Sequence, residues 1–366
     1  MEVFSTLGET CLLNGREISP SDLEGVDLLF IRSITKVDSS LLSKSRIKFI
    51  ATATSGIDHV NQEDLKHRGI SFYSAGGCNA KAVVEYIFAA LSYLALIKGL
   101  SLVGKKLGII GVGHVGGLLR KQAEQLGYSL LLCDPPLQQR PGGEELTLLP
   151  LKELLAQADI ISIHVPLNSH PESPTLGMGD DDFFRQMVPG AILLNTSRGE
   201  VIDEAALKKH RSKLAAVVLD VWNNEPNISL ETLKMVDIAT PHIAGHTLEA
   251  KLKGTEMVYQ AACEFLGRKP TWDRKNVLNT KPKTDLRMAQ RDSVNKLIQK
   301  AYPILKDHQY TKDGLTLPEK KMPFDRLRKN YIPRREFTAF NVLTEYPLSW
   351  KLEKDLQTLG FSVEYL

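Results

Sequence analysis

The segment spanning residues 106–134, KLGIIGVGHVGGLLRKQAEQLGYSLLLCD, constrains the fold more than any other part of the chain. Leu107, Ile109 and Ile110 form an apolar run long enough for a buried strand. Gly111-Val112-Gly113-His114-Val115-Gly116 then spells G-x-G-x-x-G, apolar residues recur at helical spacing from Leu118 to Leu126, and Gly127 stops the helix. Residues 128–133 are a second apolar run, ending on Asp134. Strand, glycine turn, helix, strand and acid stand in the order a dinucleotide site requires. Gly111 permits the tight turn, Gly113 lets the backbone approach a pyrophosphate, and Gly116 lets the helix pack close to the sheet. The helix N-terminus at His114 and Val115 offers unpaired N–H groups and partial positive charge to that pyrophosphate. Asp134 lies 18 residues past Gly116, close to the ~20 typical of the acid that binds the ribose 2′-OH. A carboxylate there repels a 2′-phosphate, so NAD is expected over NADP. A lone glycine motif also marks ordinary turns; the full context is what makes this one informative.

At 366 residues the chain has room for two or three domains. Its 43% hydrophobic and 24% charged residues fit a globular protein. A net charge of +3 is too small to argue for nucleic acid or a membrane surface. No apolar run reaches the ~20 residues of a membrane span, and the start, MEVFSTLGETCLL, has neither the charged region nor the apolar core of a signal peptide. Cys11, Cys78, Cys133 and Cys263 are scattered without metal-ligand spacing. They read as reduced, buried thiols of a cytoplasmic protein, and no metal is expected.

The first ninety residues read as a small α/β unit with strands at 26–31, 47–54 and 70–73. Ligands of open α/β sheets lie beyond the carboxyl ends of strands, which is where Ser33, Thr54 and Gly56 fall; loop residues capping helices fit the same positions. Residues 79–98 form one long helix, rich in Ala, Leu and Ile and hence buried, with Asn79 as N-cap. Past Asp134, strands at 160–165, 191–195, 215–221 and 236–239 alternate with helices at 151–157, 183–187 and 204–210. That alternation predicts a doubly wound, mainly parallel sheet. Asp203-Glu204 read as the first turn of a helix.

Three strands end in Thr196-Ser197-Arg198-Gly199, Trp222-Asn223-Asn224-Glu225-Pro226 and Thr240-Pro241-His242-Ile243-Ala244-Gly245-His246. Singly, Arg198 also fits a surface ion pair, Glu225 a solvated acid and His242 a core histidine. At three successive strand ends facing a cofactor crevice, they make a catalytic set the stronger reading. Removing a hydride from a carbinol carbon needs a base for the hydroxyl proton, and histidine suits neutral pH. A neighbouring carboxylate fixes its tautomer and stabilises the imidazolium. A guanidinium clamps a substrate carboxylate through two parallel hydrogen bonds. His242, Glu225 and Arg198 match those roles in that order.

The ordered set Gly111–Gly116, Asp134, Arg198-Gly199, Glu225-Pro226 and Pro241-His242 resembles the D-isomer-specific 2-hydroxyacid dehydrogenases over roughly residues 25–270. The resemblance implies that Arg198 binds substrate, Glu225 supports the histidine and His242 is the acid/base. It implies a doubly wound parallel Rossmann sheet (94–247) inserted into a smaller flavodoxin-like α/β substrate lobe (1–93, completed by 248–280). A finer similarity, to the branch that oxidises 4-phospho-D-erythronate with NAD in pyridoxal phosphate biosynthesis, rests on several further motifs. These are Arg32-Ser33-Ile34-Thr35-Lys36-Val37, Thr52-Ala53-Thr54, Gly77-Cys78-Asn79-Ala80, Cys133-Asp134-Pro135-Pro136, Leu219-Asp220-Val221-Trp222, His242-Ile243-Ala244-Gly245 and the run FDRLRKNY from Phe324 to Tyr331. It implies substrate contacts at Ser33 and Thr54, and cofactor contacts at Asp134, Val165, Thr196, Ser197, Arg198, Asp220 and Gly245. His246 stands where that branch usually has a substrate-contacting tyrosine. Residues 285–366 read as a helical, basic stretch (286–307), a polar turn-rich stretch (312–323) and a strand, helix and strand at 338–343, 348–359 and 361–365. By the same resemblance they form a C-terminal α+β domain that makes a homodimer. The basic run Arg326-Leu327-Arg328-Lys329 reads as a solvated face, or as a neighbour of the phosphate on the partner subunit's substrate. The competing readings are a dehydrogenase for another phosphorylated hydroxy acid, such as 3-phosphoglycerate, and a non-catalytic NAD-sensing co-repressor.

Overall fold

The computed structural model describes residues 2–140, 145–169 and 172–366. The chain divides into two compact units, each made of two separated segments: Met1–Asn79 with Thr247–Pro282, and Ala80–His246 with Lys283–Leu366.

In the first unit, β1 (Leu28–Ile31), β2 (Phe49–Thr52) and β3 (Ser71–Ser74) are parallel, in the order β1-β2-β3. Side chains alternate between faces, as a strand dictates. Leu29, Ile31 and Ile50 pack with Leu23, Leu42 and Leu65 on one face. On the other face, Phe49 and Ala51 pack with Val258 and Ala262 of the returning Leu248–Phe265 helix. Thr247 caps that helix, its side chain accepting from the Ala250 N–H at 3.0 Å.

The second unit holds β4 (Lys106–Ile110), β5 (Ser129–Cys133), β6 (Ile160–Ile163), β7 (Ile192–Asn195), β8 (Ala216–Leu219) and β9 (Ile238–Ala239). They form one parallel sheet in the order β5-β4-β6-β7-β8-β9. Leu148 adds an isolated parallel bridge to Leu132 outside β5. From β4 the chain goes to β5 on one side and later to β6 on the other, so the strand order reverses between β4 and β6. Ligands of such sheets bind beyond the carboxyl ends of the strands at that point. The inner strands β6, β7 and β8 are buried on both faces, which is why they read as continuous apolar runs.

The expected boundary at 93/94 falls inside a helix, Ala80–Ile97, all of which groups with the second unit. It packs against the helices Val294–Ala301 and His114–Gln125. By length and mean hydropathy it could cross a membrane, but most of it is buried inside this unit, which accounts for its apolar composition.

The C-terminal segment departs from expectation in three ways. First, the expected helical stretch does not begin at 286: Leu286 and Arg287 end a strand, β10 (Thr284–Arg287), which with β11 (Phe340–Thr344) and β12 (Ser362–Tyr365) forms a wholly parallel sheet in that order. The architecture is therefore α/β, with crossover helices, rather than α+β. Second, the polar stretch after residue 312 continues a helix, Ile304–Thr316, in which His308, Thr311 and Gly314 are buried. A Cβ at Gly314 would collide with Leu327 of the Phe324–Asn330 helix. Third, the segment does not keep a core to itself. Leu297, Ile298, Tyr302, Phe337 and Phe361 share one cluster with Val84, Ile87 and Leu91 of the long helix and with Ile109 and Ile160 of the sheet. The four cysteines are free, but Cys11 is exposed, unlike Cys78, Cys133 and Cys263, because it lies in an irregular segment before β1.

Candidate active site

The glycine turn follows β4 directly. Gly111 has φ +88°, and a Cβ there would lie 2.7 Å from the His164 carbonyl oxygen; at Gly116 it would collide with the Gly111 carbonyl oxygen. Both glycines are thus required by the protein's own packing. A Cβ at Gly113 would meet nothing within 4 Å, so the space in front of it is open. This is the cradle a pyrophosphate needs, with the first amides of the His114–Gln125 helix, those of His114 and Val115, beside it. Asp134, at the end of β5, accepts from the Val112 N–H at 2.7 Å and the Leu137 N–H at 3.0 Å. Its carboxylate therefore holds the glycine loop in place and retains lone pairs for a ribose hydroxyl.

At the end of β7 a buried asparagine shapes the turn. Asn195 Oδ1 accepts from the Ser197 N–H (3.0 Å) and hydroxyl (2.8 Å), and its Nδ2 donates to the Arg198 carbonyl (2.8 Å). Arg198 Nη1 donates to the Ser197 carbonyl at 2.7 Å. A Cβ at Gly199 would overlap the Trp222 backbone, so this glycine lets the Arg198 turn pack on the Glu225 loop. That loop follows β8. Glu225 Oε1 accepts from the Trp222 N–H at 3.0 Å, and Glu225 Oε2 lies 2.8 Å from His242 Nδ1. Burial pushes the Glu225 carboxyl up, but the charge and hydrogen bond of His242, Arg328 and the Trp222 N–H outweigh it and leave it below its ordinary value.

His242 follows β9 with φ +58°, an uncommon conformation for a residue with a Cβ. It is held there by Asp220, which is buried. The Asp220 carbonyl accepts the His242 N–H at 2.7 Å. Asp220 Oδ1 accepts from the Thr240 hydroxyl and the Ile243 N–H, both at 2.7 Å, and Oδ2 from the Ala244 N–H at 3.0 Å. The carboxylate, expected at the cofactor, thus also braces this loop. Gly245 sits in the turn that follows, and the His246 N–H donates to the Ile243 carbonyl at 2.8 Å. The His246 ring meets Tyr331 edge-on at 6.5 Å between centroids, and Thr247 caps the next helix.

Val165 follows β6, as does a residue the sequence reading passed over. His164 lies with Nε2 2.8 Å from the Ser162 hydroxyl and Nδ1 3.4 Å from that of Thr196. Burial pushes its imidazole down to about 3, so it is neutral at physiological pH. The strand-end rule, applied one residue earlier in IISIHV, identifies it. Asn195, Tyr86 and Thr240 were also missed; a buried hydroxyl pair such as Tyr86 and Thr240, 2.7 Å apart, leaves no trace in spacing.

In the first unit, Ser33 and Thr54 each lie two residues past the paired ends Ile31 and Thr52, at the same end of the sheet. Ser33 is exposed. The Thr54 hydroxyl donates to the Gly56 carbonyl at 2.9 Å and lies 2.7 Å from that of Thr52.

The model of the family "D-isomer specific 2-hydroxyacid dehydrogenase, NAD binding domain" matches residues 92–244. The chain is 42% identical to the erythronate-4-phosphate dehydrogenase of Proteus mirabilis, over all of this chain and 96% of that one. It is 40% identical to the enzyme of that name from Yersinia enterocolitica, with the same coverage. Among solved structures it resembles a D-lactate dehydrogenase from Aquifex aeolicus complexed with NAD and lactic acid, at 26% identity and a TM-score of 0.58, over 69% of this chain and 86% of that one. The chain belongs to the erythronate-4-phosphate dehydrogenase family, within the D-isomer-specific 2-hydroxyacid dehydrogenases.

Proposed function

We propose that the protein oxidises the C2 hydroxyl of 4-phospho-D-erythronate to the 2-oxo acid, (R)-3-hydroxy-2-oxo-4-phosphooxybutanoate, with NAD, as a step of pyridoxal 5′-phosphate biosynthesis. The observation that carries this reading is the 2.8 Å pair of His242 and Glu225 in a chain of this family. With Nδ1 bound to Glu225, His242 has Nε2 left to take the hydroxyl proton, and the ionised Glu225 stabilises the imidazolium that results. NAD, when bound, supplies the acceptor for the hydride that leaves C2. Gly111, Gly113, His114, Val115 and Gly116 cradle its pyrophosphate, and Asp134 holds its ribose. Val165, Thr196, Ser197, Arg198 and Gly245 line its remaining contacts, and Asp220 acts there through the loop it braces. Arg198 clamps the substrate carboxylate and polarises the adjacent oxygen. Ser33, Thr54 and His246 are substrate contacts. We read the protein as cytoplasmic and as a homodimer through residues 285–366; light scattering of the full chain at twice its 40.7 kDa mass supports that assembly, and the monomer mass refutes it.

The test of the activity is a panel of D-2-hydroxy acids assayed for NADH formation. Turnover with 4-phospho-D-erythronate at the highest kcat/KM is the expected result. Preference for 3-phosphoglycerate moves the reading to another phosphorylated hydroxy acid, and NAD binding without turnover of any acid makes the protein a sensor.

A further inference from the structure

The loop from Pro241 to His246 is held from two directions within the second unit. One hold is Asp220, described above. The other is Arg334, which lies between the Phe324–Asn330 helix and β11. Its side chain is 8% exposed. Nη2 donates to the carbonyls of Ala82, on the buried Ala80–Ile97 helix, at 2.6 Å and of Ala244 at 2.9 Å. The guanidinium lies 4.3 Å from the centroid of the Tyr302 ring. The hydroxyls of Tyr302 and Tyr331 donate to Asp307 Oδ2 at 2.7 and 2.9 Å, and Tyr331 carries the ring that meets His246. The two peptide groups that flank the Ala244 Cα, two residues past His242, are thus held at the N–H by Asp220 and at the C=O by Arg334.

We propose that Arg334 is a positioning residue for His242, so that the C-terminal segment is part of the catalytic apparatus of its own chain. This rests on the reading of His242 as the base. Arg334 acts by fixing the loop against the core helix, which sets where the His242 imidazole stands relative to Glu225. An arginine retained only to neutralise buried Glu85 would form a two-point contact with it. Instead Nη1 stands 3.6 Å from Glu85 Oε2, and Nε, Nη1 and that oxygen have no hydrogen-bond partner among the described residues. The hydrogen bonds that do form go to the two carbonyls.

The test separates positioning from stability. Glu85→Gln removes the counter-charge and leaves the Ala244 bond; Arg334→Met combined with Glu85→Gln removes both charges and the bond. Full-length variants are assayed with 4-phospho-D-erythronate and NAD at a temperature where each is folded by circular dichroism, with NAD affinity measured separately. The expected result is kcat within twofold of wild type for Glu85→Gln and a loss of about 10- to 100-fold for the pair, the scale of a small misplacement of a reacting group. NAD affinity should stay within about threefold, and added guanidinium should restore part of kcat. Equal kcat in the two variants overturns the proposal. Where the pair does not fold, Arg334→Lys decides. A lysine keeps the charge, but its ammonium ends one bond short of the position Nη2 occupies between the two carbonyls, so kcat should fall at least fivefold, and wild-type kcat overturns the proposal. Wild-type protein that turns over no hydroxy acid sinks the functional reading instead.

Discussion

His242 and Glu225 are 17 residues apart in sequence and 2.8 Å apart in space because two loops, after β8 and after β9, are pinned to each other. Trp222 steadies Glu225 within its own loop, through its backbone N–H, and ties that loop to the next by donating its indole N–H to the Thr240 carbonyl at 2.9 Å. Replacing His242 by Ala should lower kcat by ~10²–10⁴-fold, the usual worth of a general base, with NAD affinity nearly intact; wild-type turnover in that variant would assign the proton to another group. Asp134→Ala should narrow the ratio of kcat/KM with NAD to that with NADP, because a carboxylate no longer repels the 2′-phosphate. KM for NAD should rise as well, since the Val112 N–H loses its acceptor. An unchanged NAD:NADP ratio sinks the assignment. Residues of this kind were legible in the sequence, because chemistry restricts them to particular types at strand ends. Asp220 was legible as a polar residue at a strand end, but its three bonds to a loop 20 to 24 residues away were not, since they leave no trace in spacing.

At the scale of elements, apolar runs and glycines located every strand of the large sheet, and for the inner strands burial on both faces leaves a continuous signal. β10 was missed for the opposite reason: Thr-Asp-Leu-Arg at a sheet edge is mostly exposed and has no apolar run. The Ile304–Thr316 helix was cut short in the sequence reading because its polar residues are buried for specific partners. One of them, His308, accepts the N–H of Ala239 in β9 at its Nδ1, 2.9 Å away. Burial and nearby Lys312 push its imidazole down to about 4. An unfolded chain binds a proton on each histidine near pH ~6.5, whereas folded His164 and His308 wait until about 3 and about 4. The unfolded state therefore binds more protons below pH ~6.5, and stability must fall as pH drops through that window, by up to ~1.4 kcal/mol per unit for each group. His308→Asn keeps an acceptor for Ala239 and removes the titration. Denaturant melts from pH 7 to pH 5 should show a shallower loss in this variant; parallel slopes would mean that His308 protonates as readily folded as unfolded.

At the scale of the whole molecule, the C-terminal segment is structural before it is anything else. The family resemblance makes it a domain, and nothing in a linear pattern says that Leu297, Ile298, Tyr302 and Phe337 share a core with Ile109 and Ile160. Each buried side chain of this kind is worth ~1.5–3 kcal/mol, so losing several exceeds most of a typical ~5–15 kcal/mol stability. A chain truncated after Lys283 should therefore fail to melt cooperatively and should be cut rapidly by protease. A soluble fragment with a sharp thermal transition would show that the core closes without residues 284–366. The two units are also interleaved along the chain, and that sets a schedule for biosynthesis. The face of the first sheet that Val258 and Ala262 cover stays open while some 170 further residues are made, roughly 8–35 s at ~5–20 residues per second. The second unit waits for its own last segment in turn. A ribosome making this protein carries two half-built cores at once, so the nascent chain is a natural client for chaperones that shield apolar surface, and a slow codon run placed before residue 247 would lengthen the exposure of the first.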